Sequence, residues 1–380
     1  MRGGNKELRF HERKIGIPAN QLCLHYLAMY YSAKIFSRIG ELMQGFLADG
    51  SAFLISGLPS RNFFSEAVLE DLAPAPAAST SAPATSTSAP AASAGLNAAL
   101  PPKAAKALTL FLEKLKNNGR PANNNLPAAS NLPGIPASKL LRTPASNLPR
   151  IPATGLPAHP AAALPGSALP PLTGKSIRLS SNIPPGKGLA SSSADILSVL
   201  YVVNDYLQTG FTAADLYHIA ARVEPTDPCL SENIVLFKQH LGMTDRSICL
   251  PPLALLYFDA EPARQVETLS VQRPFSTQTA HFFEGLLRQF LRAADQQDRP
   301  SLFDCITRSA VANQSIISLP RFDDYYRLAE TMRSGLMVAH SGTIAGFLTD
   351  PELVPFLLPQ LERMAPTAVH VELYLSPLSR

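Results

Sequence analysis

Apolar positions in the second half of the chain follow two periods. Ser176-Ile-Arg-Leu-Ser180 places an apolar side chain at every second residue, the pattern of a strand with one buried face. Leu253-Ala-Leu-Leu-Tyr-Phe258 is a short continuous apolar run, as in a strand buried on both faces. Between them Ile196, Val199, Leu200, Val203 and Leu207 recur at helical spacing. A second helix is predicted through Leu216, Ile219 and Val223, opened by Thr212 and Asp215 at the spacing of a capping box. Phe282, Phe283, Leu286, Leu287, Phe290 and Leu291 mark a third. Nearer the N-terminus, residues 1–72 end in a region with the apolar run Ser51-Ala-Phe-Leu-Ile-Ser56. Strands and helices mixed without a strict βαβ rhythm predict an α+β architecture.

Residues 73–172 differ in kind. They hold 18 of the 35 prolines. Prolines this dense oppose regular helix and sheet, and small side chains offer little area to bury. The stretch therefore reads as a disordered, partly polyproline-like insert. One exception stands inside it. Ala107, Leu108, Phe111, Leu112 and Leu115 recur at helical spacing and predict an amphipathic helix over 103–118. A loose repeat, Asn131-Leu-Pro-Gly-Ile-Pro-Ala137 and Asn147-Leu-Pro-Arg-Ile-Pro-Ala153, reads either as tolerated surface insertion or as a binding element. The chain divides accordingly into 1–72, the insert at 73–172, a segment 173–250 that continues the first part, and a last part 251–380.

The insert also explains the charge. It carries eight Lys/Arg against the single acid Glu113; outside it, 25 Lys/Arg face 28 Asp/Glu. The formal +4 of the whole chain is thus no basic surface, and a nucleic-acid partner is not expected. Cys23, Cys229, Cys249 and Cys305 are far apart and form no CxxC pair, so structural thiols of a reducing compartment are expected. The N-terminus lacks the apolar core of a signal peptide, and no apolar run reaches a membrane-spanning length. The expectation is a soluble cytoplasmic protein without a membrane partner; oligomeric state is left open.

Candidate chemistry concentrates in Ile183-Pro-Pro-Gly-Lys-Gly-Leu-Ala-Ser-Ser-Ser-Ala-Asp195, between a predicted strand and a predicted helix. Gly186 and Gly188 permit tight turns and close approach of a ligand. Ser191, Ser192 and Ser193 place hydroxyls at the helix start, where free N–H groups and the positive end of the dipole suit a phosphate. Lys187 offers a point charge. The spacing is not that of a Walker A loop. By itself the segment reads equally as a glycine-rich turn with a serine N-cap. Glu224-Pro-Thr-Asp227 holds two carboxylates in a proline turn, suited to a divalent cation and to a hydroxyl, or simply solvated. Val338-Ala-His-Ser-Gly-Thr-Ile-Ala-Gly346 reads as a strand running into an anion-holding turn, with His340 a structural histidine.

Taken in order, these segments resemble the GHMP kinases, the superfamily of galactokinase, homoserine kinase, mevalonate kinase and phosphomevalonate kinase. Pro184-Pro-Gly-Lys-Gly-Leu-Ala-Ser-Ser192 matches the superfamily's second motif, and His340-Ser-Gly-Thr-Ile-Ala-Gly346 its glycine-rich third. Four features resemble the L-threonine kinase branch of cobalamin biosynthesis: Gly40-Glu-Leu-Met-Gln-Gly45, Ala190-Ser-Ser-Ser-Ala-Asp-Ile196, Glu224-Pro-Thr-Asp227 and Val338-Ala-His-Ser-Gly342. Ile35-Phe-Ser-Arg-Ile39 departs from the family's first motif, which there carries a proline and a cysteine.

The resemblance implies a two-lobed GHMP kinase fold, with an N-terminal lobe like ribosomal protein S5 domain 2 and a ferredoxin-like C-terminal lobe. It implies ATP and Mg2+ as cosubstrates and phosphorylation of the L-threonine hydroxyl. Pro185, Gly186, Lys187, Gly188, Leu189 and Ala190, with Ser191, Ser192 and Ser193, would hold the nucleotide. Ser341, Gly342 and Thr343 would close over its phosphates. Ser192 and Glu224 would bind Mg2+, Asp227 would orient the acceptor hydroxyl, and Glu41 and Gln44 would lie near the substrate. The competing readings are a kinase for another small hydroxyl compound such as homoserine, and a nucleotide-binding relative without turnover.

Overall fold

The computed structural model describes residues 31–72, 100–118, 172–271 and 275–375. The readings of residues 1–30, of the proline-rich stretches 73–99 and 119–171 with their repeat, and of Cys23 lie outside them.

Two long antiparallel strands open the fold, β1 (Tyr31–Phe46) and β2 (Ala52–Asp71). The first half of β1 alternates exposed and buried positions, with Ala33 and Ile35 turned inward. From Ser37 to Gly45 every residue is buried, so the strand is covered on both faces. The pairing slips between Phe36 and Arg38 and again between Glu41 and Met43. These irregularities bracket Arg38–Glu41 and let their side chains leave the regular pleat, a common device beside functional sites.

Three more strands complete this sheet: β3 (Lys175–Ser181), β4 (Ile234–Lys238) and β5 (Met243–Ile248). The order is β1-β2-β4-β5, with β3 also paired to β2. Helix α1 (Pro102–Asn118) buries Ala104, Ala107, Leu108 and Phe111 against α2 (Ser191–Leu207), as the periodicity predicts. A proline is favoured in a helix's first turn, where its missing N–H costs nothing. Helix α3 (Ala213–Ala221) opens with the expected capping box: Thr212 accepts from the Asp215 N–H while Asp215 accepts from the Thr212 N–H. It ends two residues before Val223, which falls in the following turn rather than on the helix.

The second sheet has the order β7-β8-β6-β9, from β6 (Leu253–Asp259), β7 (Gly335–Val338), β8 (Ile344–Thr349) and β9 (His370–Tyr374). Helices α4 (Thr277–Gln296), α5 (Arg299–Asn313), α6 (Phe322–Met332) and α7 (Val354–Met364) accompany it. Phe283, Leu286 and Phe290 of α4 join Ile39, Leu42 and Phe53 of the first sheet in one apolar core. A smaller core lies between the second sheet and α6 and α7, around Phe258, Tyr325, Phe347 and Leu357. Full burial of each such side chain contributes roughly 1.5–3 kcal/mol before entropy is counted. The shared core fixes the first sheet against the second where β1 meets β7, and the candidate site forms there. The architecture is the expected α+β.

Candidate active site

A cavity of about 220 Å³ opens where β1, the start of α2 and the turn after β7 converge. Gly40, Glu41 and Gln44 of β1 line one side, and Gly186, Gly188 and Leu189 to Ser193 another. Glu224, Asp227 and Ser341, also singled out by the sequence, line it too.

The N-terminus of α2 opens without a side-chain cap. Its N-cap, Ala190, sits in the left-handed region at φ 54°. The first intrahelical bond runs from the Ala194 N–H to the Ala190 carbonyl at 3.0 Å. The N–H groups of Ser191, Ser192 and Ser193 thus have no acceptor within the helix, and they stand at the positive end of a 17-residue helix. The serine-capped turn weighed as the alternative is therefore not what forms.

Three carboxylates share this cavity. Ser193 holds Asp227 twice: the Asp227 N–H donates to its Oγ at 2.9 Å, and that Oγ donates to Asp227 Oδ2 at 3.2 Å. Glu41 Oε2 accepts from the His340 N–H at 2.9 Å, and His340 Nε2 lies 3.2 Å from Ser309 Oγ. His340 is thus the buried structural histidine expected. Glu224 Oε2 pairs with Lys103 Nζ of α1 at 2.7 Å. Burial of Asp227 pushes its carboxyl up to about 7; the nearby Glu41 and Glu224 carboxylates add to the rise, and Ser193 and Arg38 oppose it.

That shift gives two opposite pH trends. Protonation frees Asp227 from the cost of burying charge. Its contribution to stability is fully present below the ordinary value of 3.8 and is lost as pH rises through about 7. A role that needs the carboxylate runs the other way, so activity should climb over the window in which this stability is lost. Melting temperature and rate measured from pH 5 to 9 test this. Asp227→Asn should flatten the stability trend; an unchanged trend would assign it to another group.

Four residues of the predicted set do not line the cavity. Lys187 is buried and turned away from the cavity, with Nζ 2.8 Å from Asp259 Oδ2. Thr343 is fully buried, and its Oγ1 donates to Asp259 Oδ1 at 2.6 Å. Gly342 packs directly behind the loop: a Cβ there would lie 2.1 Å from the Lys187 carbonyl carbon. Pro185 stands at the exposed outer edge. Lys187, Gly342 and Thr343 therefore shape the loop from behind, and of the late turn Ser341 reaches the cavity.

The structure adds residues that sequence reasoning missed. Arg38, buried where the first motif departs from the family pattern, donates to the carbonyls of Gly57 and Asn233 at 3.1 Å each and to that of Ser231. Gln239, His240, Thr268 and Val271 also line the cavity. No spacing or motif signals these four. Lys103 was legible only as the start of an amphipathic helix.

A polyphosphate held beside three carboxylates would need a cation to screen it. Glu224 Oε1 is buried, without a hydrogen-bond partner, and Glu224 and Ser192 line the same cavity. Among the described residues no group of three or more His, Cys, Asp or Glu is placed to hold a metal alone. One carboxylate, one hydroxyl and nucleotide phosphates are the donor set that suits Mg2+. Ser192 and Glu224 fit it.

Residues 161–231 match the family model described as the GHMP kinases N terminal domain, which spans β3, α2 and the Glu224–Asp227 turn. The chain is 29% identical over 178 residues to an L-threonine kinase of Citrobacter freundii, a match covering 46% of this chain and 62% of that protein. It is 27% identical over 179 residues to the L-threonine kinase of Salmonella typhimurium, covering 46% and 59%. The chain thus spans about three fifths of the length of these curated relatives. Among solved structures, a homoserine kinase from Cytophaga hutchinsonii superposes with a TM-score of 0.53 at 14% identity, covering 93% of this chain and 96% of that one. A mevalonate kinase from L. major, in complex with R-mevalonate, gives 0.53 at 12% identity, covering 92% and 98%. At such identities the likeness is one of fold. Among the described residues no helix is long and apolar enough to cross a membrane. Residues 161–231 thus resemble the N-terminal domain of the GHMP kinases, and the chain shares the fold of these kinases.

Proposed function

We propose that the chain is an ATP-dependent kinase that phosphorylates the side-chain hydroxyl of L-threonine. The observation that supports this most is the meeting, in one cavity, of an uncapped helix N-terminus with Ser192, Glu224 and Asp227. The N–H groups of Ser191 to Ser193 and the backbone of Gly186 and Gly188 hold the nucleotide phosphates. Ser192 and Glu224 would hold Mg2+, which would supply charge neutralisation at the phosphates. Asp227, fixed by Ser193, accepts a hydrogen bond from the acceptor hydroxyl and takes its proton. The hydroxyl oxygen forms a bond to the γ-phosphorus as the bond from that phosphorus to the β–γ bridging oxygen breaks, and ADP leaves. Such a reaction asks mainly for positioning and charge stabilisation, which these groups supply.

L-Threonine is chosen over other alcohols because of the four branch-type motifs and the L-threonine kinase relatives. Glu41 and Gln44, both on the buried half of β1, line the same cavity, and in this reading the acceptor binds beside them. The product, O-phospho-L-threonine, would serve as a precursor of the aminopropanol linker of cobalamin. The test is ADP release from Mg-ATP with L-threonine, run beside serine, homoserine and no acceptor. Threonine-dependent release is expected. Release driven by homoserine instead would move the acceptor assignment. ATP binding with no acceptor-dependent release would end the kinase reading.

A further inference from the structure

The phosphate-binding loop holds a lysine that does not face its ligand. Lys187 Nζ lies 2.8 Å from Asp259 Oδ2, and it donates to the carbonyls of Glu261, Pro262 and Arg264 at 3.2, 2.8 and 2.5 Å. An ammonium has three protons to give. Four oxygens at these distances use them all, which leaves none for a phosphate. Burying such a charge is unfavourable unless it is paired and fully hydrogen-bonded, and this one is both.

The partners do not line the cavity themselves, but the segments that carry or contact them run on into residues that do. Asp259 ends β6 and also accepts from Thr343 Oγ1 at 2.6 Å. The Thr343 N–H donates back to the Lys187 carbonyl at 3.1 Å, and the Val266 N–H to the Gly186 carbonyl at 2.9 Å. Just beyond Val266, Thr268 and Val271 line the cavity; just before Thr343, so does Ser341. One side chain therefore ties the loop to both segments that run into the cavity lining at Thr268, Val271 and Ser341.

We propose that Lys187, with Asp259 and Thr343, is a buried latch that sets the spacing of the nucleotide-binding cavity. Lys187 is a positioning residue that acts through the loop, without touching ATP. This inference rests on the cavity being the nucleotide site, as proposed above.

The experiment is titration of the full chain with Mg-ATP and with ADP, by calorimetry, for wild type, Lys187→Met, Thr343→Val and Lys187→Met/Asp259→Leu. Lys187→Met is expected to weaken nucleotide binding about tenfold, a scale at which misplaced ligand contacts act. In steady state the same variant raises KM for ATP and leaves KM for the acceptor unchanged. Thr343→Val keeps the ion pair and loses one hydrogen bond, so a loss of about threefold is expected; it serves if Lys187→Met does not fold. The double variant removes the unpaired Asp259 carboxylate, so its melting temperature should recover while nucleotide affinity stays low. Affinity that recovers with the melting temperature would reduce the latch to a stability element and overturn the proposal. So would Lys187→Met and Thr343→Val variants that fold and bind like wild type. A wild-type chain that binds neither nucleotide overturns the cavity assignment itself, and the latch with it.

Discussion

Glu224→Gln is expected to lower acceptor-dependent ADP release at least about 100-fold, the scale on which single charge-stabilising groups act in such sites. The substitution is nearly isosteric, so it isolates charge. Glu224 is 5% exposed and lies on the cavity wall, with Oε1 unpartnered and Oε2 paired to Lys103 at 2.7 Å. A neutral amide is a far poorer ligand for a hard divalent cation than a carboxylate. The loss should therefore appear in kcat and also as a higher Mg2+ concentration for half-maximal rate. Lys103→Met makes the complementary case. It frees Glu224 from its ion pair and should shift the Mg2+ requirement downward or leave it unchanged, with kcat reduced far less. A Glu224→Gln rate within threefold of wild type at saturating Mg2+ would remove Glu224 from the metal site.

Much of this site was legible because its chemistry is local. Gly186, Gly188 and the run Ser191 to Ser193 lie within one turn-and-helix segment, and the backbone there follows from residue type. Glu224 and Asp227 were legible for the same reason. Side-chain direction is another matter. Lys187 has the chemistry of a phosphate ligand, but Asp259 and three carbonyls of a distant segment decide where it points. Thr343 is diverted by the same carboxylate. Arg38 and His240 enter the cavity through strand irregularities and a turn that carry no periodic signal. The helix at Pro102–Asn118 shows the converse: within a proline-rich stretch, five apolar positions at helical spacing sufficed to identify it, yet they could not reveal that its first turn delivers Lys103 to Glu224.

Gly188→Ala tests whether the loop's backbone is as constrained as its contacts indicate. Gly188 has φ +82°, a region that L-residues enter only at a cost of about 1–2 kcal/mol. Space is the second cost. An added Cβ would lie 2.2 Å from the Ala339 Cβ and 3.4 Å from the Gly342 Cα. The Gly188 carbonyl accepts from the Gly40 N–H at 2.9 Å, so the loop cannot retreat without breaking its tie to β1. Overpacking of this kind costs a further 1–3 kcal/mol or so. Gly210 separates the two costs. It has φ +73° and nothing within 4 Å of an added Cβ, so Gly210→Ala meets the backbone cost alone. Urea unfolding should show Gly188→Ala destabilised by roughly 2–5 kcal/mol and Gly210→Ala by about 1–2 kcal/mol. Nucleotide affinity should fall sharply in the first, because the displaced loop carries the backbone proposed to bind the phosphates, and stay at the wild-type value in the second. Equal destabilisation in the two variants would mean that the contact with Ala339 yields freely. Nucleotide binding that survives in Gly188→Ala would mean that the phosphates rest on the helix N-terminus alone.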